Sequence, residues 1–178
     1  THSTVRTLAL AAVGTVVAQG LLGGLTVIFL LPPAISSAHA CLAQAFLCLT
    51  VALAVLTHPD WAPATRPPAD PGLARLTIAT AATVYGQLIL GAVVRHTGAG
   101  LAIPDFPLAL GRLVPPFASS AIVIHFLHRM GALAVATMVV WTAARTLRTH
   151  AGERAMVRPA LLALALVATQ LTLGALVI

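Results

Sequence analysis

Lysine is absent from these 178 residues, acidic side chains number only four, and charged residues of both signs make up 8%. With 59% hydrophobic residues and a mean hydropathy of +0.99, that scarcity excludes an ordinary water-soluble domain, which closes one core with far less apolar surface. The net charge of +6 carries no nucleic-acid signature, because the ten arginines fall mostly at the ends of apolar runs and read as topology signals. Cys41 and Cys48 share one apolar run without metal-site or disulfide-framework spacing, and read as core filler. Glutamate occurs once, at Glu153. The short alternating segments of barrel strands are missing too, so helices must do the spanning.

What is there is a series of apolar runs, each close to the about 20 residues a helix needs to cross about 30 Å of hydrocarbon. The fold class expected is all-α: a polytopic membrane helical bundle of about five transmembrane helices. Residues 1–58 form a helix pair. Helix one, residues 4–31, is too long for a signal peptide and stops at Pro32-Pro33. Helix two is capped by Ser36 or Ser37 and fades by Thr57. Residues 59–72, crowded with proline, form an exposed cytoplasmic linker. Residues 73–178 hold three helices, at about 73–94, 117–145 and 159–178, the last with Pro159 at its first position. The long loop from Arg95 to Pro116 carries Phe106, Leu108, Leu110 and Leu113, which lay it on the membrane surface. Placing the amino terminus in the cytoplasm puts Arg6, Arg66, Arg75, Arg145, Arg148, Arg154 and Arg158 inside and only Arg95 and Arg112 outside.

Three segments repeat the pattern Q-x-x-x-G-[GA]-[LV]: 19–25, 87–93 and 170–176. All lie on odd-numbered helices, and small residues at this spacing let helix backbones approach in lipid. Their register points to duplication of a helix-pair unit. The fourth helix carries His125, His128 and Arg129, spaced to share a face and placed about 16 Å into the helix if it starts at Phe117. Burying an arginine there costs about 2.5 to 3.5 kcal/mol on insertion scales, so an anion or a watery cavity should offset it. A haem meets both needs, since imidazole ligates its iron and an arginine binds its propionates. His39, near the outward end of helix two, is the other intramembrane histidine. Plain hydrogen-bonding helix contacts remain open for each of these residues, as does a small transporter using His125 and Arg129 as a polar relay.

The run from Gly91 to Pro107, with Arg95, Thr97, Gly98, Gly100, Leu101, Pro104, Asp105 and Pro107, resembles the outer-loop signature R-x-T-G-S/A-G-L-x-C-P-D-W-P of the haem A synthase family. His125 to Arg129 resembles that family's histidine-arginine helix, and Gln19 to Val27 with Pro32-Pro33 and His39 resembles another of its segments. The resemblance implies two pseudo-symmetric four-helix bundles, oxidation of the C8 methyl of haem O to the formyl of haem A, and a bacterial cytoplasmic membrane. It implies a b-type haem with His128 and His39 as metal ligands in separate pockets, and His125 and Arg129 beside the cofactor. No catalytic residue is assigned, because His125 stands where the family carries a glutamate, and Ile103 and Ala109 replace the loop cysteines of some members. The first helix pair and the eighth helix of the pattern are absent. The implied partners are therefore haem O or haem A, the lipid bilayer, and further helices from a longer chain or another membrane subunit, with no nucleic acid. A non-catalytic haem-binding or structural subunit of a respiratory or photosynthetic complex is the alternative.

Overall fold

Proline and left-handed backbone set the first boundary. α1 (His2–Ile28) ends three residues earlier than expected, and Leu30 and Leu31 turn the chain at φ 54° and 62° before Pro32. α2 (Pro33–Thr57) begins with Pro33 at a first-turn position, where its missing N–H costs nothing. The expected serine cap is not used: Ser36 is inside the helix, and its hydroxyl oxygen is buried without a partner. Cys48 is exposed on α2 rather than core filler. A computed structural model describes residues 2–58 and 70–177, so most of the expected linker at 59–72 lies outside the described residues. The chain forms two units, Thr1–Pro68 and Ala69–Ile178.

The second unit contains α3 (Pro71–Thr97), a short 3-10 turn at Ala99–Leu101, α4 (Ser120–Thr149) and α5 (Arg154–Leu176). Asp70 caps α3, its carboxylate accepting the Leu73 N–H at 2.9 Å. Gly98, at φ 69°, ends α3 in the left-handed conformation that glycine adopts without strain. Ser119 caps α4, which therefore starts three residues later than expected. His128 lies eight residues beyond Ser120, about 12 Å along the axis instead of about 16. α5 starts five residues earlier than expected, and Pro159 lies inside it. The ring lacks the N–H that would bond the Ala155 carbonyl, so one helical bond is lost.

Polar contacts set the antiparallel register of α3 against α4 along their length. The hydroxyls of Thr80 and Thr142 lie 2.7 Å apart, and at the far end the Arg145 guanidinium donates to the Asp70 carboxylate at 3.1 Å. Large apolar side chains such as Leu10, Val17, Ile78, Leu133 and Leu162 face outward. Five helices among the described residues are long and apolar enough to cross a membrane, so that surface fits lipid, and the protein is an integral membrane protein. Among the described residues the regular structure is helical, apart from one isolated bridge between Ala109 and Arg112.

Asp70 serves both the α3 cap and the tie to α4, so Asp70→Ala should lower the thermal unfolding midpoint of the detergent-solubilised protein. Asp70→Asn, which keeps a capping acceptor, should lower it less. Equal midpoints for Asp70→Ala and the unaltered protein would remove this role.

Candidate functional site

Successive helical residues turn by about 100°, so positions three and four beyond His125 diverge across the surface of α4. His128 therefore meets α3, whereas His125 and Arg129 meet the loop that joins the two helices. On the α3 side, the Gln87 carboxamide nitrogen lies 2.8 Å from the His128 carbonyl oxygen and 3.0 Å from its Nδ1. Gly91, one turn along, makes room for the ring: a Cβ there would stand 3.3 Å from His128 Cε1. Gly131 on α4 makes room for the Gln87 carboxamide, with which any side chain would collide. No hydrogen bond among the described residues reaches His128 Nε2, and the ring is half-buried.

The first unit repeats part of this arrangement. Gln19 donates to the His39 carbonyl oxygen at 3.1 Å, and a Cβ on Gly23 would stand 3.2 Å from His39 Cε1. The Nδ1 of His39 is buried without a partner, as are the carboxamide oxygens of Gln19 and Gln87. The third copy of the motif, on α5, is open: among the described residues nothing lies against Gly174, and Gln170 and Gly174 are exposed.

Arg129 is committed elsewhere. Its guanidinium donates to the main-chain carbonyls of Asp105, Leu108 and Ile103 at 2.8, 2.9 and 2.8 Å, and its Nε lies 3.3 Å from His125 Nε2. The Ile103 N–H meets the other nitrogen of His125, at 3.2 Å, and the imidazole is only 4% exposed. Both nitrogens of His125 are covered, by the Ile103 N–H and by the guanidinium, and although a neutral ring accepts at only one of them, neither is open to a metal. The anion or cavity expected to offset the Arg129 charge is replaced by loop carbonyls, and His125 lies under the loop rather than in the gap between helices. Ile103, Ala99 and Ala109 plug the loop onto the helix pair, while Phe106, Leu108, Leu110 and Leu113 point outward, as an interfacial loop requires.

Asp105 shapes the loop tip. Its two carboxylate oxygens accept the N–H groups of Leu110 and Gly111 at 2.6 and 2.7 Å, across a turn in which both residues have positive φ, 56° and 73°. Those N–H groups, Gly111 first and Leu110 next, hold the Asp105 carboxyl below its usual range.

Chemically, the imidazoles with a free Nε2, His128 and His39, are the residues that can take a metal. The described residues contain no group of three or more histidine, cysteine, aspartate or glutamate side chains placed to hold a bare ion. A macrocyclic metal needing one axial imidazole per helix suits this donor set better. The glutamines are not among the residues expected to act. Their signal is the repeat itself, whose glycines point to helix packing and whose glutamines have no meaning until a histidine is found opposite.

The sequence model of the cytochrome oxidase assembly protein family matches residues 1–178. The chain is 33% identical over 172 residues to the haem A synthase of Halalkalibacterium halodurans, covering 95% of this chain and 57% of that protein. It is 36% identical over 171 residues to the haem A synthase of Symbiobacterium thermophilum, with coverages of 90% and 54%. With that of Shouchella clausii the identity is 31% over 175 residues, with coverages of 97% and 58%. The chain thus spans just over half the length of these curated relatives. No solved structure matches it.

Arg129→Lys, whose single ammonium cannot reach three carbonyls, and Asp105→Ala should each raise protease cleavage within residues 99–118 several-fold. Because the folded carboxyl of Asp105 titrates below its ordinary value of 3.8, its hold on the turn is fully present above that pH. The hold should be lost only as pH falls through the lower, folded value. Unchanged cleavage in both variants would show that the loop is fastened by something else.

Proposed function

The chain belongs to the haem A synthase family of cytochrome oxidase assembly proteins, and from that premise we propose that its helix pairs are parts of two haem pockets. The enzyme they belong to oxidises the C8 methyl of haem O to the formyl group of haem A. The observation that carries this reading is the repeated Gln-Gly-His arrangement, which twice sets an imidazole between helices with Nε2 free.

His128 is the axial ligand in the pocket begun by α3 and α4, and His39 the ligand in the pocket to which α1 and α2 contribute. The donor set suits a b-type haem in each, since imidazole nitrogen is the ligand on offer. A bound haem supplies the electron transfer, while this chain's residues hold and orient it and keep water away. His125 and Arg129 act beside the cofactor, by fixing the loop over the end of the helix pair. One guanidinium N–H of Arg129 is left over, and it is the group here for a propionate. Haem O and haem A are the substrate and product. Further helices, from a longer chain or another membrane subunit, close both pockets. The excess of arginine at one set of helix ends supports a cytoplasmic amino terminus, with the loop from Arg95 to Pro116 facing outward.

Purified full-length protein should show a Soret band. His128→Ala and His39→Ala should each remove part of the reduced spectrum, and extracted-haem chromatography should show haem O converted to haem A. Absence of a Soret band, or spectra unchanged in both variants, would overturn the reading. Bound haem without conversion would identify a non-catalytic haem-binding subunit instead.

A further inference from the structure

The geometry points to Gln87, with Gly91 and Gly131, as a positioning device that sets which nitrogen His128 offers to iron and how basic that nitrogen is. The inference rests on the haem reading above and gives the glutamine and glycines beside the ligand a task that the reading leaves unstated. Gln87 touches His128 twice, at Nδ1 and at the carbonyl oxygen, so both the ring and the backbone that carries it are held by one carboxamide from the facing helix. The glycines are the steric half of the device. Gly91 leaves the space that the ring edge enters, and Gly131 leaves the space that the carboxamide enters. Gly86, on the same helix as Gln87, takes no part, since a Cβ at that position would meet nothing within 4 Å.

The carboxamide oxygen of Gln87 explains the direction of the effect. It is buried and has no hydrogen-bond partner, a condition that disfavours the pocket for as long as it persists. Ligation through Nε2 places the ring proton on Nδ1, and a rotation of the carboxamide brings the oxygen to that proton in exchange for the N–H bond to the His128 carbonyl. Metal binding thus satisfies an acceptor that is otherwise orphaned, and the hydrogen bond raises the basicity of the ligating nitrogen. Part of the device stands around His39, where Gln19 holds the carbonyl, Gly23 admits the ring, and the Gln19 oxygen and His39 Nδ1 are both buried without partners, although Leu42 takes the place of Gly131. That the second copy leaves the same atom orphaned argues for a common purpose over accidental packing.

Redox titration of full-length, haem-loaded protein tests this. Gln87→Leu keeps the bulk and removes the acceptor, so the midpoint potential of the haem on His128 should rise and its affinity should fall by about tenfold. Gln87→Glu restores an acceptor of greater strength, and its potential should fall below that of Gln87→Leu. Gly91→Ala should displace the ring and lower haem occupancy, whereas Gly86→Ala should leave occupancy and spectrum unchanged. A readout independent of haem is the 15N resonance of the His128 ring in haem-free protein, which should show Nδ1 as an acceptor and should change in Gln87→Leu. Haem bound at an unaltered potential in Gln87→Leu, with an unaltered 15N spectrum, overturns the positioning role. Absence of haem from the unaltered protein, with a 15N spectrum that still depends on Gln87, instead overturns the haem reading and leaves the contact standing.

Discussion

A guanidinium inside an apolar helix pair must find acceptors, and Arg129 finds them in the main chain of the loop above it. The loop carbonyls that turn toward the helix pair need donors in their turn, since a polar group buried without a partner costs free energy. Charge and loop therefore answer each other. The carbonyls of Ile103, Asp105 and Leu108 converge on one side chain, which fixes the loop, and Asp105 in turn closes the tip of the loop on Leu110 and Gly111. His125 completes the fastening from below, with Ile103 buried against the helix pair.

That fastening frees His128 for a different task. The two residues that follow His125 at three and four positions point about 100° apart, so one segment of α4 can hold a loop with one face and present an imidazole to α3 with another. The presentation is generic to the protein, because α1 and α2 build it again from Gln19, Gly23 and His39. Two units that share a glutamine, a glycine four residues later and a facing histidine fit descent from one helix pair, and the open copy at Gln170 and Gly174 carries the motif without a histidine opposite it among the described residues.

The number and type of helices are legible in the sequence, because apolar length and proline placement are local properties. Boundaries are harder. Pro159 reads as a helix start because proline favours that position, but the five residues before it are helical, and nothing in their composition marks the earlier start. Ser36 reads as a cap from its residue type, yet Pro33 has already opened the helix. At the site, the intramembrane histidines and Arg129 stand out because polar groups in lipid need a reason. Their partners do not, since the carbonyls that receive Arg129 carry no sequence signal, and the glutamines that hold the histidines lie some 20 and 41 residues away along the chain.

The division of α4 into a loop-holding face and a metal-presenting face is tested most directly by a cryo-electron microscopy map of the full-length protein purified with its haem. Porphyrin density is expected with the iron against His128 Nε2, while the Arg129 guanidinium stays on the carbonyls of Ile103, Asp105 and Leu108. A map in which His128 is packed among aliphatic side chains with no macrocycle beside it, or in which Arg129 has left the loop, would contradict that division.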